Sequence, residues 1–128
     1  MSLNFDADCK VGKAFEHLLD DIIEGRISVE AKHDFVAGTS GNIALEILNN
    51  DQKTPSGIAI SNATYFAVGV GGIEGDPDAI VMFKTNRGRT VALGYPDKRP
   101  GGDGAICTII PLRDLVCLLT LVREDEKK

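Results

Sequence analysis

The sequence predicts an α+β fold built as one domain, residues 1–128, in which helices flank a mixed central sheet. Two observations support this prediction. Apolar residues recur at helical spacing near both ends of the chain, and the segments between them alternate or run apolar as strands do. The chain has 128 residues, of which 43% are hydrophobic, so it is long enough to bury a core of its own.

The first predicted helix spans roughly 9–24 and ends at Gly25. Its apolar stripe is formed by Val11, Phe15, Leu18, Leu19, Ile22 and Ile23. Such a stripe is expected to pack against a sheet. Because Glu16 lies at the margin of the stripe, we expect its carboxylate to reach over the sheet edge.

Two strands are predicted next, over 26–35 and 42–48, with a glycine-rich connection between them. On the first strand, one face carries Glu30, Lys32 and Asp34. On the second strand, Glu46 lies opposite a face of three branched aliphatic residues. If the two strands pair as neighbours, Glu46 joins the charged face of the first.

The second half of the chain completes the sheet. Further strands are predicted over 63–70, 79–84 and 89–95. The last two of these are expected to form a hairpin that turns at 86–88. A final strand over 105–110 leads into an amphipathic helix that begins at Pro111.

Composition excludes several classes of protein. No run of about 18 apolar residues is present, so no membrane span is expected. The N-terminus carries acidic residues where a secretory signal needs basic and apolar ones, and a cytoplasmic location is expected. The three cysteines, Cys9, Cys107 and Cys117, lack the paired spacing of a zinc site and are interpreted as reduced thiols.

The charged residues are unevenly distributed. Residues 1–64 hold ten acidic and five basic side chains, whereas residues 65–128 hold nine of each. Within the second half, one basic segment contains Lys84, Arg87, Arg89, Lys98 and Arg99. These five residues are interpreted as a phosphate-binding surface, and the alternative is a set of ordinary solvated charges.

The charged face of the predicted strands suggests a metal site. Carboxylates that converge in a partly buried place repel one another, and a divalent cation removes that repulsion. Mg²⁺ or Mn²⁺ suits oxygen ligands and binds through a few carboxylates together with substrate phosphate. We therefore expect Glu30, Asp34 and Glu46 to hold the metal, with Glu16 contributing from the helix and Lys32 serving the attacking water.

These residues resemble the motifs of the PD-(D/E)xK nuclease superfamily, which has a restriction-endonuclease-like fold with an αβββ core. The matching patterns are G-x-x-x-E at 12–16, E-x-K-x-D at 30–34 and G-N-x-x-x-E at 41–46, followed by SGIAISNATYF. The resemblance covers roughly residues 6–70 and is closest to a branch of small phage and bacterial nucleases. It implies a magnesium-dependent endonuclease that acts on DNA, or on RNA, with structure-specific or weakly sequence-specific cleavage.

Two assignments of the motif are open. In the first, Glu30 or Asp34 takes the place of the usual strand aspartate, Glu46 is the second acid, and Lys32 is a lysine that has moved to the neighbouring strand. In the second, Glu30 and Lys32 form the E-x-K motif, and the partner acid comes from the helix, as Glu16 or Asp20. The chain departs from the usual pattern because Leu48, not lysine, stands two residues after Glu46.

Three functions are compatible with the sequence: a nuclease, a binding module, and a small structural protein whose acidic residues are ordinary surface charges. The first is a DNA nuclease, expected to be a homodimer because duplex cleavage needs two sites. The second is a binding or assembly module that keeps the nuclease fold without catalysis. The acidic net charge and the absence of a lysine after Glu46 favour the second.

Overall fold

The computed structural model describes the backbone of residues 5–126 and the side chains of residues 9–122. In chain order its elements are α1 (Phe5–Ile23), β1 (Val29–Asp34), α2 (Ala37–Ser40), β2 (Asn42–Leu48), a 3-10 turn (Gly57–Ala59), β3 (Tyr65–Val70), β4 (Ala79–Lys84), α3 (Thr85–Gly94), β5 (Lys98–Pro100), β6 (Ile106–Pro111) and α4 (Leu112–Glu126). The predicted α+β class is confirmed, as are the two terminal helices and the strands that correspond to β1, β2, β3, β4 and β6.

The expected single mixed sheet is wrong, because the strands form two three-stranded sheets. In the first sheet β3 lies in the middle, parallel to β1 and antiparallel to β4. In the second, β6 lies in the middle and is antiparallel to both β2 and β5. The expected pairing of β1 with β2 therefore does not occur, since the short helix α2 turns the chain into the other sheet.

The expected hairpin around 86–88 is also wrong, because helix α3 follows β4 directly. The buried positions Gly88, Val91 and Ala92 recur at helical spacing. Gly88 is needed for close packing: a Cβ atom built there would lie 2.2 Å from Cε2 of Phe83, on the preceding strand. Packing against β4 thus decides the helix, although the alternation in 89–95 favours a strand.

The core lies between the two sheets and helices α3 and α4. It is contributed by Ile43, Leu45 and Ile47 of β2, Phe66 and Val68 of β3, Phe83 of β4 and Ile110 of β6, together with Ile58, Val91, Ala92 and Leu115. One face of each sheet therefore points inward.

Helix α1 does not pack as the sequence predicts. Three members of its apolar stripe are largely exposed: Val11 is 70%, Phe15 58% and Ile23 80% accessible. Periodicity identifies the apolar face of a helix but not the surface that covers it. None of the helices within the described part of the chain has the length and hydropathy needed to cross a membrane.

Candidate functional site

Glu30, Lys32 and Glu46 line one cleft of about 480 Å³, which we call the acidic cleft. Glu30 and Lys32 come from β1 and Glu46 comes from β2, so the two sheets meet here. Ser61 and Asn62, in the segment before β3, form another part of the wall. The predicted convergence of these three charged residues thus occurs across the gap between two sheets and not within one.

Glu46 is placed by an irregularity in its strand. The pairing of β2 with β6 shifts between Glu46 and Leu48, and such bulges re-aim side chains at sheet edges. The 3-10 turn packs closely against the same position. A Cβ atom on Gly57, whose φ is +57°, would lie 2.3 Å from the backbone oxygen of Glu46. Only glycine allows this close approach.

The carboxylate of Glu30 has a partner for each of its oxygens. Ser61 Oγ donates a hydrogen bond of 2.9 Å to Oε1, and Lys32 Nζ lies 3.7 Å from Oε2. Ser61 is 7% exposed, and its hydroxyl also accepts a hydrogen bond of 3.3 Å from the backbone N–H of Ala63. The side chains of Glu30 and Lys32 are 33% and 61% exposed. Glu30 is therefore oriented from the protein side while its outer face reaches solvent.

Ser61 and Asn62 are site residues that reasoning from the sequence missed. They belong to the SGIAISNATYF segment, whose resemblance to nucleases assigns a role to neither residue. The only sequence feature that could have pointed to these two residues is their position as a Ser-Asn pair just before a buried strand. It carries no information on which distant carboxylate the serine meets.

Asp34 does not line the acidic cleft, although it lies on the same strand as Glu30. Its Oδ1 accepts a hydrogen bond of 3.0 Å from the N–H of Ala37, and its Oδ2 accepts one of 2.9 Å from the N–H of Ala44. Asp34 lines a separate cavity of about 150 Å³ together with Arg99. Its carboxylate thus joins β1 to α2 and β2 and lies outside the acidic cleft lined by Glu30 and Glu46, the other two expected metal ligands.

Glu16 is likewise not brought to the acidic cleft. It lies on the exposed part of α1, next to Phe15, which is itself 58% exposed. The expected approach of Glu16 over the sheet edge fails because the apolar stripe of α1 is not covered by the sheet there.

The predicted basic surface divides into two parts. Lys84, Arg87 and Arg89 line a second cleft of about 460 Å³, the basic cleft, whose other walls are Asn86 and residues 61–64. Lys98 and Arg99 instead lie on β5 in the other sheet. Arg99 donates hydrogen bonds of 2.8 and 2.7 Å to the carboxylate of Asp97, which holds the pKa of Asp97 below its usual value. Lys98 Nζ donates to the backbone oxygen of Tyr95.

The acidic and basic clefts are neighbours, because Ser61 and Asn62 line both. Arg89 stiffens the wall between them. Its Nε donates a hydrogen bond of 2.9 Å to the backbone oxygen of Ile58, Nη2 donates to that of Ser61, and Nη1 donates one of 3.0 Å to Oδ1 of Asn86. Arg89 therefore acts mainly as a scaffold for the segment that carries Ser61.

Cys107 lies on β6 and forms part of the acidic cleft. Burial raises the pKa of its thiol, and the negative charge of Glu46 raises it further. The thiol is consequently protonated over a wider pH range than an exposed one and is a weak nucleophile at neutral pH.

The donor set for a metal is smaller than expected. Among the described residues, no group of three or more His, Cys, Asp or Glu side chains is arranged to hold a metal ion. The acidic cleft instead offers the two carboxylates Glu30 and Glu46. This set fits Mg²⁺, which keeps several waters and binds proteins through one or two carboxylates plus substrate phosphate.

Comparison with known proteins does not assign this chain to a family. No family model, no curated protein and no solved structure matches this chain.

Proposed function

We propose that this protein is a metal-dependent nuclease that hydrolyses phosphodiester bonds in DNA. One observation carries the proposal: the acidic cleft, with Glu30, Lys32 and Glu46, opens beside the basic cleft with its three cationic side chains. Carboxylates suit a hard cation, and cationic side chains suit a phosphate backbone. Both halves of a phosphodiesterase site are thus adjacent.

The residues of the acidic cleft have distinct roles in this proposal. Glu30 and Glu46 would hold Mg²⁺ or Mn²⁺, and the bound ion would supply a Lewis acid at the phosphate and an acidified water. The Ser61 hydroxyl fixes the Glu30 carboxylate through its bond to Oε1. Lys32, whose side chain is mostly exposed at the cleft, would orient the attacking water or neutralise charge that develops on the phosphate.

The assignment to the PD-(D/E)xK superfamily, with a restriction-endonuclease-like fold, belongs to the same proposal. It is supported by the acidic cleft, where the E-x-K strand β1 meets the strand of Glu46. The placement of Glu30, Lys32 and Glu46 favours the assignment in which Glu46 is the second acid, with Lys32 supplied across the cleft by β1 of the other sheet. The alternative needs an acid from α1, and neither Glu16 nor Asp20 lines the cleft.

A homodimer is part of the proposal, because a monomer with one site cleaves one strand at a time. A structure-specific or weakly sequence-specific substrate is also proposed, since a chain of 128 residues has little surface to read bases. Analytical ultracentrifugation of the protein, with and without a duplex, tests the first of these. Cleavage of a panel of linear, flapped and branched DNA tests the second.

A binding module without catalysis is the second candidate, and one observation favours it. Lys32 Nζ lies 3.7 Å from Glu30, so the lysine and the acid partly neutralise one another without a metal. In such a module the clefts would bind nucleic acid or a protein partner, and divalent ions would have no effect on stability.

Metal-dependent melting combined with cleavage decides between the two candidates. We expect Mn²⁺ at about 100 times its dissociation constant to stabilise the wild type by about 2.7 kcal/mol. Glu46→Gln should remove most of this stabilisation and the cleavage. Glu74→Gln is the matched control, because Glu74 is an exposed acid on the loop between β3 and β4. A wild type that melts at the same temperature with and without Mn²⁺, and cleaves nothing, contradicts the nuclease and supports the module.

A further inference from the structure

The basic cleft differs in composition from the acidic cleft beside it. It is lined by Lys84, Arg87 and Arg89 together with the polar side chains of Ser61, Asn62, Thr64 and Asn86, and no acidic residue is among its lining residues. Three positive charges in one concave surface repel one another and attract anions. This basic and polar lining therefore favours an anionic ligand.

The donors in this cleft are not equivalent. Arg89 is committed to the backbone oxygens of Ile58 and Ser61 and to the side chain of Asn86. Its bond to Oδ1 of Asn86 leaves the Asn86 amide nitrogen as a donor. Within the described part of the chain, no acceptor is hydrogen-bonded to the Lys84 ammonium or to that amide nitrogen. Lys84 and Asn86 lie on either side of Thr85, where β4 passes into α3.

The position of the basic cleft beside the acidic cleft indicates which kind of anion it binds. The two share Ser61 and Asn62 as lining residues, so they lie next to one another. In a nucleic-acid strand, successive phosphates lie next to one another at about 3.4 Å of helix rise each. A strand whose phosphate sits at Glu30 and Glu46 therefore presents a neighbouring phosphate to the basic cleft.

We propose that Lys84, Asn86 and Arg87 form a subsite for one phosphate group of a nucleic-acid strand, beside the phosphate that is cleaved. This inference rests on the proposed nuclease function for its substrate, but the subsite itself needs no metal. Arg89 is a positioning residue in it, because it holds the wall that carries Ser61. The phosphate is either an internal phosphodiester or a terminal phosphate monoester, and both present the same anionic oxygens to these donors.

The test measures binding without divalent ions, so that it does not depend on catalysis. Single-stranded oligonucleotides of one sequence, carrying a 5′-phosphate, a 3′-phosphate or no terminal phosphate, are titrated with protein in EDTA by fluorescence anisotropy. The double variant Lys84→Ala, Arg87→Ala should bind roughly tenfold more weakly than the wild type, because charge-assisted contacts to a phosphate are lost. Its salt slope should fall by about 0.7, the value for one phosphate contact on a single strand.

Lys53→Ala is the matched control, since Lys53 is an exposed lysine that lines neither cleft. If the double variant loses affinity equally for all three oligonucleotides, the subsite binds an internal phosphate. If it loses affinity only for the oligonucleotide with one particular phosphorylated end, the subsite binds a terminal phosphate. The proposal is overturned if the double variant binds every oligonucleotide with wild-type affinity and salt slope. It is also overturned if Lys53→Ala loses as much affinity as the double variant, or if the wild type binds none of the oligonucleotides.

The same measurement keeps this inference separate from the nuclease proposal. Glu46→Gln should bind the oligonucleotides at least as tightly as the wild type in EDTA, because it removes a negative charge beside the strand. If oligonucleotide binding depends on Lys84 and Arg87 but Mn²⁺ neither stabilises the protein nor supports cleavage, the phosphate subsite stands and the nuclease does not. If Mn²⁺ stabilises the protein and supports cleavage but the double variant binds the oligonucleotides normally, the nuclease stands and the phosphate subsite does not.

Discussion

The hydroxyl of Ser61 donates a hydrogen bond of 2.9 Å to Oε1 of Glu30, across 31 positions of sequence. This contact joins the segment before β3 to the carboxylate on β1, at the place where the acidic and basic clefts meet. It makes Ser61 a positioning residue for Glu30, and its removal is the most direct test of how the carboxylate is held.

Ser61→Ala should lower the free energy of unfolding by about 1–2 kcal/mol, because it removes the partly buried hydrogen bond to the Glu30 carboxylate and the one accepted from the N–H of Ala63. Ser56→Ala is the matched control: the buried Ser56 hydroxyl has no hydrogen-bond partner among the described residues, so its removal should cost less. Urea unfolding measures both. If Glu30 holds a metal, Ser61→Ala should also reduce the stabilisation by Mn²⁺, whereas a purely structural serine would leave that stabilisation unchanged.

Lys32→Ala separates catalysis from folding. The Lys32 side chain is 61% exposed and lies 3.7 Å from Glu30, and an exposed pair of this kind contributes about 0–1 kcal/mol. We therefore expect almost unchanged stability but a loss of cleavage of roughly 10²-fold, the usual scale for a lost acid–base group. Cleavage that persists at the wild-type rate would reject the role of Lys32, and Lys53→Ala controls for the loss of one positive charge.

Asp34→Ala should destabilise the fold without affecting the metal site. The Asp34 carboxylate accepts backbone hydrogen bonds of 3.0 Å from Ala37 and 2.9 Å from Ala44. Their loss should cost about 2 kcal/mol or more in urea unfolding, because hydrogen bonds to a charged group are among the strong ones. The melting shift caused by Mn²⁺ should persist, and its disappearance would show that Asp34 binds the metal after all.

Gly88→Ala tests the packing of α3 on β4. The added Cβ would lie 2.2 Å from Cε2 of Phe83, so the buried ring must move, at a cost of about 1–3 kcal/mol. Gly94→Ala provides the comparison in the same helix, since a Cβ there meets no atom within 4 Å. It should be neutral or stabilising, because alanine favours helix by up to about 1 kcal/mol over glycine. Equal effects of the two substitutions would contradict this packing.

Cys107 provides a reporter of the acidic cleft. Because burial and, next, the charge of Glu46 raise its thiol pKa, its thiolate fraction at pH 8 is below that of an ordinary cysteine. Mass spectrometry should therefore show slower alkylation by iodoacetamide at Cys107 than at the exposed Cys9 and Cys117, with the rate still rising at more alkaline pH. Glu46→Gln should speed the reaction at Cys107 alone. An alkylation rate at Cys107 equal to that of the exposed thiols would show that the cleft does not shield it.

The sequence by itself determined the local features of this protein. Alternation placed β1 and β2 within a few residues of their bounds, and helical spacing did the same for α1 and α4, because these patterns follow from the backbone geometry of single elements. Alternation also put Glu30 and Lys32 on one face of β1. Local pattern was insufficient for α3, where the close contact of Gly88 with Phe83 outweighed an apparent strand alternation.

Only the tertiary structure decided which distant residues meet. Asp34 and Glu30 share a strand face in sequence, yet one is bonded to backbone N–H groups while the other lines the acidic cleft with Glu46. Glu16 is left on an exposed helix, and the basic segment is split between the basic cleft and β5. The physical reason is that periodicity fixes the direction of a side chain relative to its own element, whereas the division into two sheets depends on how all the elements bury their apolar faces together.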